Sequence, residues 1–316
     1  MPQTSVAAPI FALREQEGVR QGSLFDVLAS ATSGDLVDLP DMAAHQRPCV
    51  VTTLAILMVA IRRHAETQPQ TSPQWWETQW NEQVGEDAAL LLNDPDKPAF
   101  FQPPTAPSGQ PLALWEVDWL FQAQEHEAKG RAAGTPEEWA FALMCSPWRQ
   151  YGGRGRYGGA RSGLLTALPG DGRSIASEVN FLAHAYENAA SGEVGRDAVP
   201  TGAGDHVLWL QPFPTESAAI PLSRCAFPFL DCRAIRLWED GSQMRAYGVA
   251  TKAARVGEGH PGDPHVPIEI KSGTPYKVVK QRNFDYRVQH AALFGDNEVR
   301  RARALDLSPP YTVVRI

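Results

Sequence analysis

Val50-Val51-Thr52-Thr53-Leu54-Ala55-Ile56-Leu57-Met58-Val59-Ala60-Ile61-Arg62-Arg63-His64 is the stretch on which the reading of this fold turns. Val50, Val51, Leu54, Leu57, Met58 and Ile61 recur at helical spacing, and the closing Arg62-Arg63-His64 places cations where a helix dipole favours them. The pattern predicts a long buried helix opening at Pro40 or Asp41. Threonines interrupt the apolar run from Cys49 to Ile61, which falls short of the roughly 20 residues a membrane span requires.

Two more helices are predicted outward from this one. Ser72-Pro73 reads as an N-cap with proline at the first helical position, leading into Trp75, Trp76, Trp80 and the apolar Leu90-Leu91-Leu92. Thr135-Pro136-Glu137-Glu138 reads as a capping box, with Trp139, Leu143 and Met144 as the apolar face behind it. Beyond residue 163 the texture changes. Val207 to Phe213, Ala234 to Trp238 and Arg245 to Ala250 are short β-favouring runs, and Glu239-Asp240-Gly241-Ser242 is a candidate hairpin turn. Val256 to Pro267 is rich in glycine and proline and reads as a loop. The expected fold class is α+β, with a helix-rich first half and a β-containing second half in a single domain spanning residues 1–316.

Charge also divides the chain, between residues 148 and 149. The formal net charge is −7, but residues 1–148 carry 8 Lys/Arg against 19 Asp/Glu, and residues 149–316 carry 21 against 17. A polyanion is therefore expected against the second half, and a basic protein partner or solvent against the first. Cys49, Cys145, Cys225 and Cys232 are too few and too scattered for a disulfide framework, and no leader-like segment opens the chain, so a cytoplasmic protein is expected.

The basic half begins with the most unusual segment of the chain. Tyr151 to Gly163, YGGRGRYGGARSG, holds six glycines, three arginines and two tyrosines. Glycine lets the main chain approach a ligand closely, and arginine supplies a donor fork that matches phosphates and guanine edges. Nucleic acid is the ligand this chemistry suits. Gly153 to Gly158 satisfies G-x-G-x-x-G, but Pro147-Trp148-Arg149-Gln150 precedes it where a dinucleotide fingerprint needs an apolar strand. A Walker loop would need a Lys-Ser/Thr pair that is missing. Composition alone leaves a solvated loop open as well.

Catalytic constellations are weak. His260, Asp263 and His265 lie among Pro261, Gly262 and Pro264, which forbid the helix that would align two imidazoles on a metal. Cys225 and Cys232 flank Phe227, Phe229 and Leu230 and read as core. No G-x-S-x-G and no H-E-x-x-H occurs, so a non-catalytic binding protein with no metal or cofactor is expected.

The order of four landmarks resembles the large subunit of the type I-E CRISPR Cascade complex, the CasA family. Gly22-Ser23-Leu24-Phe25-Asp26-Val27-Leu28, followed by Leu39-Pro40-Asp41 and the long helix, is similar to the family's opening. Asp94-Pro95-Asp96-Lys97-Pro98-Ala99-Phe100-Phe101-Gln102 resembles its PFxQ-type signature. Tyr157-Gly158-Gly159-Ala160-Arg161-Ser162-Gly163-Leu164 resembles its glycine-rich loop, and Leu222-Ser223-Arg224 through Arg233-Ala234-Ile235-Arg236-Leu237 its strand segment. The resemblance implies a subunit at the crRNA 5′-handle end that inspects double-stranded target DNA for a short flanking motif. The resemblance also implies contacts with backbone and small Cascade subunits and a helicase or nuclease recruited afterwards.

Carried over by position, the reading loop would be Gly158, Gly159, Ala160 and Arg161, with Arg154 and Arg156 beside it, and the lysine finger would be Lys252. Minor-groove readout is degenerate and width-dependent, which suits glycine backbone plus a long cation. Family members continue into a C-terminal helical bundle, whereas this chain stops at Ile316, so no bundle and no strand-separating wedge residue is expected within it. Two other readings stay open: a metal-dependent nuclease using His260, Asp263 and His265, and a stand-alone RNA-binding module in which Tyr151 and Tyr157 stack bases.

Overall fold

The computed structural model describes residues 4–62, 65, 71–106, 109, 111–118, 134–148, 164–167, 173–191, 207–212, 234–241, 243–248, 267–273, 286–301 and 312–315. Strands β1 (Phe11–Glu15) and β2 (Gly18–Gly22) form an antiparallel hairpin that carries the chain into helix α1 (Leu24–Ser33) and strand β3 (Leu36–Asp38). The three strands lie in the order β2-β1-β3. Ser23 caps α1 through a capping box in which Asp26 answers back to the Ser23 amide at 2.9 Å, so two of the orphan N–H groups at this helix start are satisfied reciprocally.

Helix α2 (Arg47–Arg62) is the centre of the molecule, with every residue from Cys49 to Ile61 buried. It starts at Arg47 rather than at Pro40 or Asp41. Residues before it turn instead, with the Ala43 amide donating to the Gln46 side chain at 2.9 Å. Pro48 then sits in the first helical turn, where its missing N–H costs nothing. A helix buried on all sides needs partners all round, and α2 has them in helices α3 (Pro73–Gln83), α5 (Pro136–Cys145) and α6 (Ile175–Ser191). The short α4 (Leu114–Val117), preceded by strand β4 (Pro111–Leu112), packs on α5.

The capping box at Thr135 is present as expected, with the Glu138 amide donating to the Thr135 hydroxyl at 3.2 Å. The second helix is shorter than the sequence suggested. It ends at Gln83, and Leu90 to Leu92 lie beyond it, after a 3-10 turn over Glu86–Ala89. There Leu91 is fully buried and donates its amide to the Thr4 carbonyl at 2.8 Å, a tertiary pairing that helical periodicity does not reveal.

In the second half, strand β5 (Leu164–Ala167) pairs antiparallel with β10 (Thr312–Arg315). Strands β6 (Ile235–Asp240) and β7 (Gln243–Gly248) form the expected hairpin, turning at Gly241 in the left-handed conformation (φ 66°) that glycine adopts without strain. β4 completes this sheet in the order β4-β7-β6. Val207 to Phe213 is not a strand in its described part: Leu208–Leu210 make a 3-10 turn that drives Trp209 against Phe101, ring centroids 4.2 Å apart. Strand β8 (Ile268–Glu269), helix α7 (Tyr286–Phe294) and strand β9 (Val299–Arg300) follow, and α7 packs on β9 and β10. One hydrophobic core cluster runs from Val6 to Ala246 and draws on both the acidic and the basic half. The elements are helices and antiparallel sheets, an α+β fold.

Candidate nucleic-acid interface

Both ends of the glycine-arginine segment are tied to α2. On the entry side, α5 passes through a 3-10 turn at Ser146–Trp148, and the buried Trp148 donates its indole N–H to the Thr53 hydroxyl of α2 at 2.8 Å. Thr53 in turn donates to the Met144 carbonyl at 3.1 Å. A hydroxyl that accepts one buried bond and donates another satisfies three polar groups away from water. On the exit side, β5 begins at Leu164, pairs with Arg315 and packs on α2. The segment thus leaves from and returns to the same rigid helix.

The approach to Lys252 is built separately. β7 ends at Gly248, opposite Ile235 in the hairpin, and Tyr247 pairs with both Arg236 and Pro111. α4 packs on β7 as well as on α5, so the helix that precedes the glycine-arginine segment and the strand that precedes Lys252 share a neighbour. The buried Asp118 after α4 meets His45 at 2.9 Å, just ahead of α2. The predicted contact residues themselves, Arg154, Arg156, Gly158, Gly159, Ala160, Arg161 and Lys252, lie outside the described residues, as do Tyr151, Tyr157, His260, Asp263 and His265. Among the described residues no group of three or more His, Cys, Asp or Glu could hold a metal ion, and no helix is long and apolar enough to cross a membrane.

Two of the sequence landmarks meet directly. Gln102 is fully buried, donating its side-chain amide to the Leu91 carbonyl at 2.9 Å and accepting the Leu237 amide at 2.6 Å. Arg236 is fully buried too, and its guanidinium donates to the carbonyls of Asp94 at 2.7 Å, Asn93 at 3.0 Å and Pro103 at 3.4 Å. Burial pushes its pKa down to about 10, with Asp94 pulling the other way. The Asp94–Gln102 loop is therefore clasped from both ends by consecutive residues of β6. Between the two clasps Phe101 holds a positive φ of 53°, which a bulky side chain adopts only when its surroundings impose it. These motif residues are structural.

Glu137 has a property that its place in a capping box does not announce. It is buried, accepts the Ala12 amide of β1 at 2.9 Å, and lines an open cleft of about 450 Å³ with Asp41 and Glu138. Burial raises its pKa to about 7, the charges of Asp41 and Glu138 add to the shift, and the Ala12 hydrogen bond opposes it. A carboxyl group two positions after an N-cap gives no sequence signal that a strand 125 residues away will cover it.

No family model and no curated protein sequence matches the chain. Solved structures do. CasA (Cse1) of Thermus thermophilus aligns with 86% of this chain and 57% of its own, at 15% identity and a TM-score of 0.55. Cse1 from Acidimicrobium ferrooxidans aligns with 97% of this chain and 63% of its own, at 15% identity and a TM-score of 0.57. A chain of a CRISPR RNA-guided surveillance complex captured before nicking aligns with 98% of this chain and 69% of its own, at 14% identity and a TM-score of 0.60. The architecture is thus an α+β fold shared with solved CRISPR-associated proteins. More particularly, its structural neighbours are the CasA (Cse1) large subunits, of whose length this chain spans roughly three fifths.

Proposed function

We propose that this chain is a non-catalytic large subunit of a CRISPR RNA-guided surveillance complex that reads the motif flanking a target in double-stranded DNA and helps start R-loop formation. The observation that carries the reading is the likeness to Cse1 structures and to a chain of a CRISPR RNA-guided surveillance complex, over 86% to 98% of this chain. Its supports are local. The glycine-arginine segment is held at both ends by α2, and the β6–β7 hairpin leads into Lys252. In this reading Gly158, Gly159 and Ala160 present backbone to the minor groove, Arg161 and Lys252 supply the cations, and Arg154 and Arg156 hold phosphates. Guide RNA reads the target sequence while protein reads the flank, a division of labour known for another RNA-guided effector class.

The partners proposed are crRNA at its 5′-handle end, target DNA, and backbone and small subunits, in the cytoplasm, with a helicase or nuclease recruited later. The acidic first half would face the basic backbone subunits. The test is a gel shift with the complex assembled with and without this chain, on duplexes sharing one guide-matched target but differing in the flanking few base pairs. Binding that needs both the chain and a particular flank, and that Lys252→Ala and Arg161→Ala weaken without disturbing assembly, is the expected result. Binding indifferent to the chain or to the flank would overturn motif reading, and unchanged affinity in both variants would overturn the site assignment.

A further inference from the structure

Helix α7 turns an aromatic side to solvent. Tyr286, His290 and Phe294 follow one another at four-residue steps and so share one side of the helix. The opposite side, Val288, Ala291 and Ala292, is buried. Tyr286 is 72% exposed and Phe294 68%, values that ordinary packing does not require of large rings. The His290 and Phe294 rings touch, with centroids 5.0 Å apart. The Arg287 guanidinium lies 5.7 Å from the Tyr286 ring centroid and donates to its hydroxyl at 3.1 Å, so a cation is already fixed beside the first ring.

At the far end of the helix the aromatic side opens into a cleft of about 580 Å³ beside the β8–β9 pair, bounded by Phe294, Ile268, Ile270, Arg300 and Arg301. The wall is rigid. Gly295 ends α7 at a φ of 72°, and a Cβ there would stand 3.0 Å from the Val299 carbonyl, so the chain turns tightly enough to bring Arg300 against the helix end. Asp296, the acidic residue lining this cleft, accepts the amides of Glu298 and Val299 at 2.7 Å each, both on its Oδ1, so the turn holds one of its two carboxylate oxygens. Lys271, in sequence between the lining residues Ile270 and Gly273, is exposed. The stretch from Lys271 to Arg303 carries eight Lys/Arg against three Asp/Glu.

We propose that this surface binds single-stranded nucleic acid, with Tyr286, His290 and Phe294 offering stacking faces to bases and Arg287, Arg300 and Arg301 meeting phosphates. Exposed rings in a row, flanked by cations, suit bases better than the continuous aliphatic surface of a protein helix, because every base has a π-face and every linkage a negative charge. In a duplex the bases are stacked on one another and withhold those faces, so the surface selects unpaired strands. The proposal stands apart from motif reading by the glycine-arginine segment, and neither depends on the other.

The test is fluorescence anisotropy of the 316-residue chain with labelled oligothymidine and oligouridine of about 15 nucleotides and a blunt duplex of equal length. Tyr286→Ala and Phe294→Ala are each expected to weaken single-strand binding about 5- to 150-fold, the loss of one stacked base, and to leave duplex binding unchanged. Phe294→Tyr keeps a ring and should retain affinity. Equal losses on both oligomers would mark a surface blind to the sugar, and a loss confined to one would name the strand. Because both side chains are exposed, the variants should keep the wild-type thermal melt. Undiminished single-strand affinity in the double alanine variant would overturn the proposal. So would absence of oligonucleotide binding together with self-association that Phe294→Ala abolishes, which would reassign the face to a protein contact.

Discussion

The Leu237 amide donates to the Gln102 side-chain oxygen at 2.6 Å, joining two segments 135 positions apart. The same carboxamide donates to the Leu91 carbonyl, so one side chain satisfies backbone on both sides of a buried seam. Gln102→Ala is expected to cost about 2–5 kcal/mol, because it strands two buried backbone groups at about 1–3 kcal/mol each and leaves a small cavity. Gln102→Glu keeps the size but replaces the donor facing Leu91 with an acceptor, and should be no better. Urea melts of the three proteins check this, and equal midpoints would sink it.

Arg236 is a buried cation hydrogen-bonded to three backbone carbonyls, with the Asp94 charge as added support. Arg236→Lys is expected to destabilise by about 2–4 kcal/mol, since a single ammonium cannot reach the spread of acceptors that the planar fork meets. Arg236→Met fits the space and leaves the Asn93 and Asp94 carbonyls unpaired, with a loss of similar size. The accompanying signature is a rise in proteolysis within the Asp94–Gln102 loop.

Glu137 makes stability fall with rising pH. Its folded-state pKa of about 7 stands above its ordinary value of 4.5, so between these pH values the folded chain holds more protons than the unfolded one. The contribution is complete below about pH 4.5, declines through pH 7 and levels off above it. Glu137→Gln, whose side-chain oxygen can still accept the Ala12 amide, should flatten that slope and stabilise the protein at pH 8 by up to about 3 kcal/mol. Denaturant melts at either end of the window measure the difference, and a parallel pH profile in the variant would refute it.

Thr53→Val removes the acceptor for the Trp148 indole and the donor for the Met144 carbonyl while keeping the volume. About 1–3 kcal/mol of stability should be lost. If the glycine-arginine segment grips DNA, target affinity falls along with it, because Trp148 anchors the entry to that segment. Arg161→Ala should lower affinity with no change in the melt. A Thr53→Val protein that melts as the wild type does would deny the anchor.

How much of this was legible beforehand follows the range of the forces involved. The Thr135 capping box, the central helix through Ile61 and the Gly241 hairpin rest on neighbours within a few positions, and each was readable. The course of Leu90 to Leu92 beyond α3 and the 3-10 turn that carries Trp209 were not, because distant partners settle them: Thr4 takes the Leu91 amide and Phe101 receives Trp209, while the start of α2 at Arg47 is set by a local Ala43–Gln46 turn that apolar spacing does not mark. The proposed contact residues, from Arg154 to Lys252, stand on sequence alone; the structure adds the frame on either side of them.

Composition and local pattern by themselves determined an α+β chain with an acidic helical half, a basic half and a glycine-arginine segment following the third helix. Only the tertiary structure decided that Gln102 and Arg236 clasp one loop, that Glu137 is shielded from water, and that Tyr286, His290 and Phe294 stay exposed. The physical reason is the same throughout. Helix caps and turns are local bonds, whereas desolvation depends on what the rest of the chain brings alongside.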